Sequence, residues 1–118
     1  MVRLMYCVNR REDISPEEFR RYWQDEKYAS LLGKFTTIYR AARFDRNLTL
    51  NIQMNVQIME RQETGTPFDG IIEIWWDSAK ELIAVNESPE AEELKRKIRE
   101  YEGQFINRSL SKIFFTES

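Results

Sequence analysis

The chain of 118 residues contains no histidine. That absence removes the side chain that ordinarily moves protons near neutral pH, and with it the commonest metal ligand. The one cysteine, Cys7, has no second cysteine to pair with, so no intramolecular disulfide forms and no metal site of cysteine and histidine is expected. Cys7 reads instead as a small, inert hydrophobe in an apolar stretch. No apolar run approaches the roughly 18 residues of a membrane-spanning helix. The stretch Met1–Val8 meets charge too soon to serve as a signal peptide. A basic surplus is also missing: the net charge is −2 and the pI near 5.3, which argues against a phosphate-binding surface and so against nucleic acid as a partner. Repeats and low-complexity tracts are absent. These absences lead us to expect a soluble, cytoplasmic protein whose chemistry rests on carboxylates, tyrosines, lysines, arginines or a cofactor.

The apolar content is ample for a core. Hydrophobic residues make up 42% of the chain and aromatics 13%, enough for one domain over residues 1–118 and too short a length for two. Val2–Asn9 reads as a first strand. Ser15-Pro16-Glu17-Glu18 announces a helix by a capping box with proline at the first helical position. Phe19, Tyr22, Trp23, Glu26 and Ser30 form its stripe, and Gly33 is the expected stop. Phe35–Phe44 is expected as a second strand, with Thr37, Tyr39, Ala41 and Arg43 on one face. The segment 48–60 carries apolar residues at both strand and helix spacings and is left open. A third strand covers Gly70–Asp77. Ser78 and Glu81 cap a short helix to about Val85, and Ser88-Pro89 starts a longer one with Leu94, Ile98, Tyr101 and Phe105 as its stripe and Gly103 as its end. Ser109–Thr116 is the last strand. The order β-α-β-β-α-β predicts an α+β, ferredoxin-like subunit: a four-stranded antiparallel sheet with its helices on one face.

The third strand holds the sharpest feature. Five of the six residues from Ile71 to Trp76 are β-branched or aromatic, and Glu73 interrupts them. An ionised carboxylate is costly to bury unless it is paired or protonated. Neither side of this strand suits bulk water, so the uncovered sheet face is expected to meet a second copy of the chain. Two such sheets face to face would enclose a barrel-like space lined by Glu73, Trp75 and Tyr39.

Phe19-Arg20-Arg21-Tyr22-Trp23 and the stretch from Phe68 to Ser78, with Asp69-Gly70-Ile71-Ile72-Glu73-Ile74-Trp75-Trp76-Asp77 at its centre, resemble the two signature stretches of the EthD family. The resemblance runs through nearly the whole chain and implies a dimeric α+β barrel. Relatives in that wider group include a muconolactone methylisomerase, polyketide cyclases and decarboxylases, and the EthD protein is associated with fuel-ether degradation. Family members typically carry a histidine four residues after the helix tryptophan, facing the cavity. Here that position is Lys27, between Glu26 and Tyr28. A mechanism using the histidine does not transfer, and haem, which some barrel relatives bind, lacks a histidine ligand. We therefore expect no cofactor and no metal.

Candidate catalytic groups are Glu73, Tyr39 and Glu26, and candidate ligand contacts are Trp75, Lys27, Trp23 and Arg43. Each has a bland counterpart. Glu73 is either a cavity base or anchor, or a structural carboxylate held by Arg40 or Arg43. Tyr39 is either a donor to a bound carbonyl or a core aromatic. Trp23, Trp75 and Trp76 fit a core better than a ligand platform, with only Trp75 on Glu73's face, and Glu26 and Lys27 fit solvent at a helix end. Two functions follow. One is binding of a small hydrophobic or aromatic compound without catalysis. The other is isomerase-, cyclase- or decarboxylase-type chemistry run by carboxylate and tyrosine.

Overall fold

The computed structural model describes residues 1–85 and 88–118. Its elements are β1 (Val2–Val8), α1 (Pro16–Gln24), α2 (Glu26–Ile38), β2 (Arg43–Leu48), α3 (Gln53–Gln62), β3 (Gly70–Trp76), α4 (Ala79–Val85), α5 (Pro89–Glu102) and β4 (Lys112–Glu117). The four strands pair antiparallel in the order β2-β3-β1-β4. With the helix layer on one face, this is the ferredoxin-like arrangement that the element order implies.

The sheet is open. β2 and β4 each keep one edge without a strand partner, so the closed barrel expected from the resemblance is not formed. The four strands of the chain do not close on themselves. One side of the sheet is covered and the other is not.

The register decides which residues lie where. Leu4 pairs with Ile74 and Phe115, Tyr6 pairs with Ile72 and Ile113, and Phe44 pairs with Ile74, so these side chains share the helix-covered face. Arg3, Met5, Cys7, Ile71, Glu73, Trp75, Arg43, Asp45 and Phe114 share the other.

Two displaced boundaries shape the interior. The helix read as continuous from Pro16 to Gly33 breaks at Asp25. Asp25 ends α1 with an extended backbone and caps α2, its carboxylate accepting from the Lys27 N–H at 2.8 Å. The break resets the helical phase, so Tyr28 becomes the inward residue and Glu26 and Lys27 lie exposed.

The strand expected over Phe35–Phe44 is helix up to Ile38. Leu31, Phe35 and Ile38 continue a helical stripe. The hydroxyls of Thr36 and Thr37 donate to the Leu32 and Gly33 carbonyls at 2.8 and 3.1 Å, which lets β-branched residues sit in the last helical turn. Gly33 is thus an interior helical residue rather than a stop. Arg40 turns the chain in the left-handed region, at φ 55°, and β2 begins at Arg43. The open segment resolves as α3, which buries none of its side chains. The last strand starts at Lys112, behind a turn built on Asn107.

The core is aromatic. Phe19, Tyr22, Trp23, Tyr28, Tyr101 and Phe105 form one cluster with ring centroids 5.3–6.2 Å apart. Gly70 lets the Trp23 ring lie against β3, since a Cβ there would sit 2.7 Å from Cη2.

Candidate functional site

Glu73 emerges on the uncovered sheet face, with Met5 and Asp45 as its cross-strand neighbours. Among the described residues its ion-pair partner is Arg3, at 3.9 Å, rather than Arg40 or Arg43. Both side chains are partly exposed, so the pair contributes little. Trp75 lies on the same face between two guanidiniums, Arg43 at 4.2 Å and Arg3 at 5.7 Å from the ring centroid. Trp75 is only 8% exposed and lies outside the core cluster on the helix side. Glu73, Trp75 and Arg43 therefore stand together.

The other candidates stand elsewhere. Tyr39 is the C-cap of α2, buried on the helix side. Its ring stacks on Phe35 at 4.3 Å and its carbonyl accepts from Trp76 Nε1 at 2.8 Å. Lys95 lies beside it, 5.9 Å from the ring centroid. Trp23 is sealed in the aromatic core. Glu26 is solvent-exposed in the first turn of α2. Lys27 is also exposed and lies over the Tyr101 ring at 5.8 Å.

The most unusual chemistry is a pair that the sequence reading passed over. The Tyr28 hydroxyl donates to Glu102 Oε2 at 2.5 Å, 74 residues apart in the chain, and both side chains are buried. Burial pushes the Glu102 carboxyl up to about 7, against the Tyr28 hydrogen bond and the nearby Arg108 and Arg99, which draw it down. Burial, and then the charge of Glu102, raises the Tyr28 hydroxyl well above its ordinary range and Tyr6 to about 12. Both phenols thus stay protonated, and Tyr28 serves as a donor. A signal was present: Leu94, Ile98 and Glu102 follow at i, i+4 and i+8, which places the carboxyl on the inward stripe.

Glu102 lies at the side of a cleft of about 600 Å³ between α2, α5 and the strands β1, β3 and β4. Leu4, Leu32, Phe35, Ile113 and Phe115 supply its apolar walls, and Tyr6, Lys95, Arg99, Glu102 and Arg108 its polar groups. The cleft exists because α5 does not cover the β4 edge, where Ile113 and Phe115 remain more than half exposed. A groove of about 670 Å³ lies between α2 and α5 and includes Ser30, Lys34, Glu90, Glu93 and Lys97. It is no smaller, but its ionisable groups are solvated and include no buried acid, so its size does not make it the better candidate. Among the described residues there is no group of three histidine, cysteine, aspartate or glutamate side chains that could hold a metal, and no helix long and apolar enough to cross a membrane.

The family model of the EthD domain matches residues 11–109. The chain belongs to the EthD-domain family. It is also similar to two solved structures. One is an ethyl tert-butyl ether D (EthD) family protein from Bacillus halodurans, 16% identical over 100% of this chain and 98% of that one, with a TM-score of 0.64. The other is a dimeric protein of unknown function and ferredoxin-like fold from Bacteroides fragilis, 11% identical over 99% of this chain and 95% of that one, with a TM-score of 0.61. At these identities the likeness is one of fold. No curated protein matches this EthD-domain chain in sequence.

Proposed function

We propose that this EthD-domain protein binds a small, largely apolar or aromatic compound in the cleft between its helix layer and β1 and β4. The observation that carries this reading is the cleft: apolar walls with a few convergent polar groups, one of them a carboxyl sealed against Tyr28. Ligand sites commonly combine those features. The site thus moves from the sheet face around Glu73 to the opposite side of the same sheet. Thermal unfolding in the presence of small aromatic compounds tests it. A binder should raise the Tm, and Ile113→Trp, which fills the cleft from an exposed position, should cancel that rise without lowering the unliganded Tm. A rise that survives Ile113→Trp would place the ligand elsewhere.

The protein acts, in this reading, as a homodimer joined through the uncovered sheet face. The Bacteroides fragilis structure is described as dimeric. The face carries Met5, Ile71, Trp75 and Phe114 together with charges of both signs, Arg3, Arg43 and Lys112 against Glu73 and Asp45. A two-fold contact sets such a patch against itself, so opposite charges can pair across it. Light scattering at micromolar concentration should give twice the chain mass, and Ile71→Asp should halve it.

A second reading, proton transfer to or from the bound compound, is favoured by Glu102. A general acid or base works best with a pKa near the operating pH, and Glu102 has one at about 7. Here it takes the role that the sequence suggested for Glu73 and Glu26. Turnover lost in Glu102→Gln but kept in Glu73→Gln would support this assignment; the reverse pattern would refute it.

A further inference from the structure

The polar groups of the cleft are unevenly signed. Lys95, Arg99 and Arg108 all line it, and Glu102 is the acidic group that faces them. Lys95 is already engaged, by Glu92 at 3.1 Å and by the neighbouring Tyr39. The two arginines are not matched by acids: among the described residues neither has a carboxylate within ion-pair distance, and Arg108 gives one guanidinium nitrogen to the Arg99 carbonyl. Glu102 makes no ion-pair contact with them: it is buried, and its Oε2 accepts from Tyr28. The result is an apolar trough with unmatched positive charge along one wall. A guanidinium beside a low-dielectric space attracts a carboxylate strongly and in a defined orientation.

We propose that the cleft selects an amphipathic monoanion, a small aromatic or aliphatic carboxylate whose apolar body lies over Leu4, Ile113 and Phe115 and whose carboxylate reaches Arg99 and Arg108. This rests on the cleft-binding reading above and narrows it to a ligand class. A neutral apolar compound would leave the two arginines facing its body unmatched. A dianion would meet greater repulsion from Glu102 than a monoanion does.

The arrangement also couples binding to a proton. The groups that face Glu102 are Tyr28 from α2, Tyr6 from β1, Arg99 from α5 and Arg108 from the turn after α5. A carboxylate arriving at the arginines adds a negative charge near Glu102 and screens the two cations that favour its ionised form. Both effects draw a proton onto Glu102. Binding near neutral pH is therefore accompanied by proton uptake.

Calorimetry on the intact chain with three probes of matched apolar body tests this: phenylbutyrate, phenylbutanol and phenylbutylamine. The carboxylate should bind at least about tenfold more tightly than the alcohol, and the amine more weakly than either. Arg99→Gln with Arg108→Gln, both at exposed positions, should remove the carboxylate's advantage and leave the alcohol's affinity unchanged. At neutral pH the apparent enthalpy for phenylbutyrate should depend on the buffer's ionisation enthalpy, and in Glu102→Gln that dependence should vanish. Equal affinity for acid and alcohol, or an advantage that survives the double substitution, would overturn the carboxylate inference and leave cleft binding standing. Failure of all three probes to bind would overturn both.

Discussion

Trp75 and Trp76 are adjacent in sequence, yet the sheet treats them oppositely. Trp76 faces the helices at 0% exposure, its Nε1 bonded to the Tyr39 carbonyl and its ring 6.1 Å from that of Phe115. Trp75 faces away, and two guanidiniums on neighbouring strands lie over its ring. One tryptophan is enclosed by packing, the other by charged side chains that keep their hydration on the outer side. Low exposure therefore has two meanings in this molecule. On the helix side it signals a sealed interior in which a carboxyl such as Glu102 shifts its pKa. On the outer side Glu73 keeps contact with solvent and a cation.

The contrast can be broken first at the tryptophans. Trp76→Ala should cost about 3–5 kcal/mol in chemical denaturation, the usual range for emptying a packed aromatic site. Trp75→Ala should cost far less in a dilute monomer, about 1–2 kcal/mol, since much of its cover folds away with it. If Trp75→Ala is as damaging as Trp76→Ala, a partner chain buries the outer face, and the gap between the two variants should open on dilution.

Glu102 offers the next test. Its folded pKa, about 7, lies above the ordinary 4.5, so the folded state holds this proton more tightly than the unfolded chain does. Its contribution is fully present below about pH 4.5 and is lost as pH rises through 7. Wild type should lose stability relative to Glu102→Gln across that interval, by an amount on the order of 3 kcal/mol. A flat difference between wild type and Glu102→Gln would mean that Glu102 is not sealed.

Glycines sharpen the comparison at a smaller scale. Gly70→Ala forces a methyl to within 2.7 Å of the Trp23 ring and should destabilise by about 1–3 kcal/mol. Gly33→Ala has nothing within 4 Å and sits inside α2, so it should stabilise by about 0.5–1 kcal/mol. The smallest effect belongs to Arg43→Gln. It removes one guanidinium from Trp75, about 0.5–1 kcal/mol, with an increase in Trp75 fluorescence quenching by iodide as the check.

The candidate site was legible in part. The sequence placed Glu73 and Trp75 on one strand face, and the register keeps them there, because side chains alternate along a strand regardless of what packs nearby. It placed Tyr39 beside them only by reading 35–44 as a strand. Once those residues continue a helix, Tyr39 belongs to the covered side. Glu26 and Lys27 qualify as heirs to the family histidine only on a continuous helix. Asp25 breaks that helix, and Tyr28 turns inward instead.

What the sequence determined by itself is local and periodic: the capping box at Ser15 and Glu18, the apolar run of β3, the stripe of α5, and through their order the ferredoxin-like arrangement. What only the tertiary structure decided is whatever depends on phase and on distant partners. The sheet stays open because four strands leave two edges unpaired. Residues 35–38 are helical because packing against the core outweighs the strand preference of two threonines and an isoleucine. Glu102 becomes an acid with a pKa near neutrality only when Tyr28, 74 positions away, closes over it. No spacing within the chain encodes that meeting, because it comes from two helices packing across one sheet.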